Sequence, residues 1–424
     1  MSYETPWSRR NFLHRGTAFA SLVGTAPLFL QQTAEGVSSP LGALTSSIPG
    51  VPQDRIFVVV QLGGGNDGLN TVVPYGNDAY YRARPNIGIS RPGTTGGALG
   101  LPVPGGDGIG LNPEFEGMRT LMDDGLAAIV QGTGYPNPNR SHFSSMDIWH
   151  SADPTGHSDG WLGRYFDNTC SGTPDPQAAI ALGSTSPLAL TGRRSRPVQF
   201  EKPELYRWIG EDIDNDLKQA YRTVPGDPDQ ATDTLAFLRR TALDAQISSA
   251  QVRKAAALAP LASFPGGNLS DQLRMVAAMI RSGLPTRVYY VTLGGFDTHA
   301  NQAGQHGRLL RQVGDSLKAF QDDLKAQGND GRVLTMVFSE FGRRVAQNAS
   351  GGTDHGTAAP LYLIGPMVRP GLHGRHPDLV NLDSGDLKYT TDFRQVYAGV
   401  LEDWLKTDST AVLKRRFQKL NVLT

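Results

Sequence analysis

A continuous β-branched strand followed by three glycines constrains the fold of this chain more than any other feature. The run from Arg55 to Leu62 reads RIFVVVQL and leads directly into Gly63-Gly64-Gly65. Because its residues are apolar on both faces, the strand must be covered on both sides, which is typical of a parallel sheet. Open α/β sheets bind ligands beyond the carboxyl ends of their strands, so we expect function in the loop after Leu62.

Four later segments have a similar form and extend the predicted sheet to five strands. They run from Leu126 to Gln131, Arg287 to Leu293, Arg332 to Phe338 and Leu361 to Ile364. Apolar residues at helical spacing predict helices between them, at Glu114 to Gly125, Ser270 to Ser282, Arg308 to Gln327 and Thr391 to Leu405. This alternation predicts an α/β fold, a doubly wound and mostly parallel sheet with helices on both faces.

Two regions interrupt the alternation. Residues from about 187 to 285 are rich in helical patterns with Pro and Gly between them, which predicts a helix-rich insertion over the strand ends. The Gly-rich stretch from Gly93 to Gly110 predicts a surface loop or small hairpin. We therefore divide the chain into a signal and linker at residues 1–47 and one α/β domain at residues 48–424.

The N-terminal residues resemble a twin-arginine export signal. Ser8-Arg9-Arg10-Asn11-Phe12-Leu13 precedes a mildly apolar stretch from Gly16 to Leu30. The alternative is a chance arginine pair on an amphipathic helix. The signal implies passage through the Tat translocase to a periplasmic or extracellular location. It also fits the single cysteine, Cys170, because this route carries proteins already folded in the cytoplasm, without disulfides formed after export.

Charge and hydropathy exclude two classes of function. The 40 Lys and Arg residues balance 40 Asp and Glu residues, so no net positive charge attracts nucleic acid. No apolar run approaches the roughly 18 residues needed to span a bilayer, which argues against an integral membrane protein.

Side chains of metal-ligand type are concentrated in the loops that follow the predicted strands. The candidate ligands are Asp67, Asp297, His299, Glu340 and His355. Because these loops share one edge of the sheet, we expect the five side chains to converge on a divalent cation. Zinc, manganese and calcium are the candidate metals, and three carboxylates favour the harder cations.

Each candidate also has a structural alternative. Asp67 follows three glycines and could cap a helix or hold a turn. Asp297 and His299 alternate, but a histidine bonded to a buried carbonyl is commoner than a metal ligand. Glu340 could form an ion pair with an arginine, whereas His355 lies among small residues and has little packing role.

Six motifs between about residues 54 and 405 resemble the alkaline-phosphatase-like superfamily of metallohydrolases. They are GGGNDGLN, GYPNPNRSHFSSMDIW, DGWLGR, GGFDTH, FSEFGR and GTDHG. More closely, the chain resembles the Tat-exported domain-of-unknown-function family 1501. The resemblance implies an alkaline-phosphatase-like fold with a two-metal site and a nucleophile at a helix N-terminus.

Ser141 matches the nucleophile position, since its segment is similar to the serine helix of cofactor-independent phosphoglycerate mutases. A serine there is also a common helix N-cap, which is the structural alternative. Arg164 in the DGWLGR motif is the candidate oxyanion contact. A cation would lower the pKa of the serine hydroxyl and so promote its attack on a phosphate ester.

The chain departs from the superfamily pattern at three points. Neither Ser141 nor Cys170 begins the C/S-x-P-x-R sequence needed to form formylglycine, which argues against a formylglycine sulfatase. Asp297 and His299 are closer together than in the phosphatases, and Glu340 stands where an Asp-His pair is usual. One of the two metal sites is therefore expected to be altered or empty.

Three functions follow. The first is an exported metal-dependent hydrolase of phosphate or related esters, acting on a small or polymer-borne anionic substrate. The alternative is a non-catalytic metal-binding surface or assembly protein. A third treats Gly64-Gly65-Asn66-Asp67 as the Gly-x-Asn-Asp block of a serine esterase, but no suitable serine precedes it outside the signal and linker.

Overall fold

The computed structural model describes residues 55–169, 175–202 and 249–424. Its strands are β1 (Ile56–Leu62), β2 (Val72–Val73), β3 (Leu99–Gly100), β4 (Gly110–Leu111), β5 (Ala127–Gly134), β6 (Ala179–Leu182), β7 (Val198–Phe200), β8 (Val288–Leu293), β9 (Val333–Ser339), β10 (Ala359–Ile364), β11 (Gly371–His373) and β12 (Thr391–Asp392). Its α-helices are α1 (Asp78–Ala83), α2 (Glu116–Asp123), α3 (His142–Ser151), α4 (Trp161–Thr169), α5 (Asn268–Arg281), α6 (Gln302–Gln327), α7 (Phe393–Gly399) and α8 (Ser409–Leu413). Short 3-10 helices lie at Gly68–Asn70, Pro176–Ala178, Leu188–Leu190 and Asp330–Arg332, and a π-helical turn continues α7 at Val400–Trp404.

Nine of the described strands form one sheet. Its order is β11-β5-β10-β9-β1-β8-β6-β7, with β12 also paired to β5. Of these nine, eight run parallel, whereas β10 is antiparallel to both β5 and β9. All five predicted strands are present, and β6 and β7 extend the sheet at one side. The predicted α/β fold with a mostly parallel sheet is confirmed.

Helices cover both faces of this sheet, as predicted. Along β1, Ile56, Val58 and Val60 pack into one core cluster with residues of α2, α5 and α6. Phe57 and Val59 pack into the opposite cluster with residues of α3, α4 and α7. The alternation follows from strand geometry, because successive side chains point to opposite faces of a sheet.

The structure describes the predicted surface loop or hairpin in full and the predicted helix-rich insertion only at its two ends. The Gly-rich stretch from Gly93 to Gly110 contributes β3 and β4 to a three-stranded antiparallel sheet with β2. Within residues 187–285, β7 joins the main sheet and α5 packs on one of its faces, so both ends of this segment belong to the α/β core. Residues 203–248 lie outside the described chain, as do the N-terminal signal, the linker and Cys170. In the described part, no helix combines the length and the apolar character of a membrane span.

The antiparallel direction of β10 matters for the site. Strands β1, β5, β8 and β9 end at one edge of the sheet, and β10 begins at that edge because it runs the other way. The loop before β10 therefore lies beside the loops that follow the parallel strands. Two glycines allow these loops to approach closely. A Cβ on Gly64, whose φ is +116°, would lie 2.4 Å from the Asp297 amide nitrogen, and one on Gly352 would lie 2.3 Å from the His299 carbonyl.

Candidate metal site

The carboxylate of Asp297 is the centre of a cluster of histidines at this edge of the sheet. Its Oδ1 lies 2.9 Å from Nε2 of His299, 3.0 Å from Nε2 of His355 and 3.5 Å from Nε2 of His142. Among the described residues, His142, Asp297 and His355 form one group whose potential ligand atoms all lie within 4.8 Å of one another. His299 adjoins this group, since its Nε2 is 3.0 Å from Nε2 of His355.

His142 is held from behind by a buried carboxylate. Its Nδ1 lies 2.7 Å from Oε1 of Glu340, which also accepts a 2.8 Å hydrogen bond from the Gly64 amide. The hydrogen bond to Glu340 raises the pKa of His142 and outweighs the opposing effect of partial burial. The ring of Phe341 packs against the His142 and His355 rings, each at a centroid distance of 4.9 Å. The orientation of His142 is thus fixed on two sides.

The other two imidazoles also direct Nδ1 towards acceptors. Nδ1 of His355 lies 2.9 Å from the carbonyl oxygen of Arg140, and Nδ1 of His299 faces a carboxylate oxygen of Asp354 at 3.6 Å. The tautomer with Nδ1 protonated leaves the Nε2 lone pair of each imidazole available to a cation beside Asp297. In the other tautomer Nε2 of His355 donates to Oδ1 of Asp297 at 3.0 Å, and a cation bound beside Oδ1 would replace that proton.

The cluster therefore fits a bound cation. Its donor set of imidazole nitrogens and one carboxylate oxygen is a common one for divalent transition metals. The Nε2 atom of His142 is buried and has no hydrogen-bond partner, as expected of an atom that serves a different ligand. Its Nδ1 contact with Glu340 is the carboxylate–histidine arrangement that orients metal-binding imidazoles in other proteins.

A buried arginine holds Asp297 in place. The guanidinium of Arg343 has no exposed surface and donates to Oδ1 of Asp297 at 2.7 Å. It also donates to the carbonyls of Gly64, Gly65 and Thr353 at 2.5, 2.7 and 2.8 Å, which joins three of the loops. Burial alone would raise the pKa of Asp297, but the neighbouring His355 and Arg343 outweigh it and hold that pKa well below its ordinary value.

Two of the five predicted ligands lie away from this group. Glu340 contacts His142 from behind, as described above. Asp67 is fully buried in an ion pair with Arg84 at 2.6 Å, and its Oδ1 accepts from the Asn70 amide at 3.4 Å as the N-cap of the 3-10 helix at Gly68–Asn70, in line with its helix-capping alternative. Burial by itself would raise the pKa of Asp67, but Arg84 outweighs it and the pKa is lowered.

Ser141 and Arg164 have contrasting surroundings. Ser141 is exposed at the N-cap of α3, and its side chain makes no capping hydrogen bond. It lies between Arg140, whose carbonyl contacts His355, and His142. The Arg164 guanidinium is buried, and its three nitrogens donate to the carbonyls of Ser151, Val412 and Asp159. These bonds hold α4 to its neighbours, so we do not retain the expected oxyanion role of Arg164.

The family can be assigned from the sequence. A family model described as "Protein of unknown function (DUF1501)" matches residues 118–414, more than two thirds of the chain. The chain belongs to the DUF1501 family. The match includes the loops that carry His142, Asp297, Glu340 and His355, whereas Asp67 lies before it. No curated protein matches the chain.

Several solved structures are distantly similar to this DUF1501 chain. A protein in the alkaline phosphatase superfamily from Vibrio parahaemolyticus is 9% identical over 91% of this chain and 76% of that one, with a TM-score of 0.39. The C-terminal periplasmic domain of EcEptC from Escherichia coli is 11% identical over 91% and 96%, with a TM-score of 0.36. A 2-O GAG sulfatase is 7% identical over 87% and 76%, also with a TM-score of 0.36. The fold assigned above rests on the strand order of this chain itself.

Two residues of the site were not among the predicted ligands. His142 follows Ser141 in the motif that attracted attention to the serine, and Arg343 lies in the FSEFGR motif of this DUF1501 chain. The sequence offered one indication for His142, which is a histidine at the predicted start of a helix that follows a strand. Nothing in the sequence showed that the imidazole faces Asp297 across the loops, because that contact joins residues 155 positions apart.

Proposed function

We propose that this chain is a metal-dependent hydrolase of phosphate or related esters within the alkaline-phosphatase-like superfamily. The observation that carries the proposal is the convergence of three imidazole Nε2 atoms on Oδ1 of Asp297. His142, Asp297, His299 and His355 would hold the cation, and Glu340 would orient His142. The superfamily motifs around these residues support ester hydrolysis as the reaction class.

The ligand set changes the preferred metal. The predicted set had three carboxylates and two histidines, whereas the set proposed here has three histidines and one carboxylate. Nitrogen ligands favour zinc and similar transition metals over calcium, which prefers oxygen ligands. We therefore propose zinc or manganese.

Ser141 is the proposed nucleophile. A cation at this site would polarise the ester oxygens and lower the pKa of a nearby hydroxyl. The hydroxyl of Ser141 is exposed and has no capping bond to break before it attacks. The N-terminus of α3, beside Ser141, presents free backbone N–H groups that help to bind an anion.

The openness of the site fits an anionic substrate of variable size. The side chains of Asp297 and His299 are 48% and 45% exposed, so a small ester or a polymer-borne ester could reach them. We also propose that the protein acts in the periplasm or outside the cell after export by the Tat translocase. That part rests on the arginine pair at residues 9 and 10 and the apolar stretch that follows it.

One set of measurements tests the proposed function. The purified protein is analysed for bound metal and assayed on phosphate monoesters, phosphate diesters and sulfate esters, beside Ser141→Ala, Ser144→Ala and His355→Ala. Ser144 is a matched control because it is also an exposed serine in the first turn of α3. We expect Ser141→Ala to retain its metal and lose kcat by orders of magnitude, His355→Ala to lose metal, and Ser144→Ala to match wild type.

The remaining outcomes separate the alternatives. Bound metal without turnover of any ester would favour the non-catalytic metal-binding protein. Full activity in Ser141→Ala would exclude it as the nucleophile, and wild-type protein that binds no divalent cation would exclude the site.

A further inference from the structure

A buried carboxamide lies directly behind the candidate metal site. Gln302, the first residue of α6, has no exposed surface. Its Nε2 donates to Oδ2 of Asp67 at 2.5 Å. Its Oε1 accepts hydrogen bonds from the hydroxyls of Thr353 at 2.6 Å and Thr298 at 3.2 Å.

The two threonines belong to the two loops that carry the cluster. Thr298 stands between Asp297 and His299, and Thr353 precedes Asp354 and His355 by one and two positions. The backbones of these loops are joined by 3.0 Å hydrogen bonds from the Asn301 and Gln302 amides to the Ser350 and Gly351 carbonyls, whereas beside the threonines the Thr353 amide and the Thr298 carbonyl are 3.4 Å apart. The carboxamide oxygen of Gln302 therefore adds a side-chain connection between the loops next to the threonines, beside the one that Arg343 makes.

The buried ion pair fixes the orientation of this carboxamide. A carboxylate only accepts hydrogen bonds, so the amide nitrogen of Gln302 must face Asp67 and its oxygen must face the threonines. Asp67 is itself fixed by Arg84, which also donates to the carbonyls of Arg344 and Val345, each at 2.9 Å. The fixed carboxylate of Asp67 thus determines that the carboxamide of Gln302 presents its oxygen, and not its nitrogen, to the two threonines.

We propose that Gln302 and Asp67 are positioning residues that set the separation between the Asp297–His299 loop and the His355 loop. The inference rests on the proposed metal site and assigns Asp67 a role different from that of a ligand. Without the hydrogen bonds of Gln302, the imidazoles of His299 and His355 could still bind a metal, but their distances from Asp297 would no longer be fixed. Loss of these hydrogen bonds is therefore expected to weaken metal binding and to change the geometry of the ligands around the metal.

Paired threonine variants test the proposal without removing a ligand. Thr353→Val keeps the shape of the side chain and removes the hydroxyl, whereas Thr353→Ser keeps the hydroxyl. Thr298→Val and Thr298→Ser form a second pair. Ser409→Ala is the stability control, because the buried Ser409 donates a 2.6 Å hydrogen bond to Glu402 from the C-terminal helix α8. Each protein is studied by zinc calorimetry, by the visible spectrum of its cobalt(II) form and by a thermal melt.

We expect Thr353→Val to weaken zinc binding about tenfold to a hundredfold, the range seen when an outer partner of a ligand is lost, and to shift the cobalt bands. Thr353→Ser should restore both, and Thr298→Val should have a smaller effect because its bond is longer. Ser409→Ala should lower the melting temperature alone. Wild-type affinity and spectrum in both valine variants would overturn the positioning role but leave the metal site intact. Wild-type protein that binds neither metal would overturn both.

Discussion

Glu340 and His142 form a partly buried carboxylate–imidazole contact of 2.7 Å between Oε1 and Nδ1. The two residues are 198 positions apart in the chain, one after β9 and the other at the start of α3. This contact leaves Nε2 of His142 directed at Asp297. Glu340, which was predicted as a ligand, therefore contacts the imidazole of His142 on the side away from Asp297.

The first prediction concerns this contact. Glu340→Gln keeps the side-chain volume but removes the charge that raises the basicity of His142, so metal affinity should fall about tenfold to a hundredfold. Zinc calorimetry measures the change. Asp354→Asn is the graded control, because Asp354 faces His299 at 3.6 Å and is 58% exposed, and its effect should be smaller. An equal loss in both variants would show that Glu340 has no special role.

The second prediction concerns the buried pair of Asp67 and Arg84. Both side chains have no exposed surface, so Asp67→Asn leaves a buried cation unpaired and should lower the free energy of unfolding by about 3 to 5 kcal/mol. Asp78→Asn breaks an exposed pair with Arg91 and should cost no more than about 1 kcal/mol. Denaturant melts of the two variants compare these values directly.

The same pair predicts a dependence of stability on pH. The pKa of Asp67 is lowered in the folded protein, so its contribution is present above its ordinary pKa of 3.8 and is lost as pH falls through the folded value. Wild type should lose this contribution in acid, whereas Asp67→Asn has none to lose. Melts from about pH 7 to about pH 3 should therefore show the difference between the two proteins shrinking at the acid end. A constant difference would contradict the assignment.

A third prediction concerns the close approach of two loops at Gly64. Gly64→Ala places a Cβ 2.4 Å from the Asp297 amide at a φ of +116°, so the loop must move or strain. Strain of this kind costs about 1 to 3 kcal/mol, and metal binding should weaken because Asp297 shifts. Gly294→Ala is a control in the Asp297 loop, with no atom near its Cβ. The melting temperature and zinc affinity of Gly294→Ala should remain close to wild type.

A fourth prediction concerns export. Replacing Arg9 and Arg10 by lysine should leave folding unchanged and retain the protein in the cytoplasm, because Tat signals are identified by the paired arginines. Cell fractionation with immunodetection measures the distribution, and replacing Arg15 by lysine is a control outside the pair. Normal periplasmic accumulation of the double variant would rule out this route.

The periodic elements of the fold were largely predictable. The predicted strand from Arg287 to Leu293 differs from β8 by one residue at its start, because a buried β-branched run has a clear signature. Helix α6 was predicted from Arg308, yet it begins at Gln302. Its first turns bury the polar residues Gln302 and His306. A hydrophobic pattern does not reveal helical residues that are buried through hydrogen bonds.

The site was predictable only in part. Asp297, His299 and His355 are brought together as the strand-end argument expected. Asp67 fits the same argument but forms a buried pair with Arg84, an arginine in no recognised motif. Residue type and position in a loop do not show whether a carboxylate faces the site or the interior. The direction that a carboxylate faces depends on which cationic side chain lies beside it in the folded protein.

The sequence by itself determined the parallel strands, the helices that cover them and the edge at which polar loops gather, because these follow from local hydrophobic period. Tertiary structure decided that β10 runs antiparallel, which brings His355 to that edge from the loop before its strand. It also decided that His142 faces Asp297 and that Glu340 lies behind it. Strand direction and side-chain facing depend on contacts between residues far apart in the chain, and local sequence patterns do not encode such contacts.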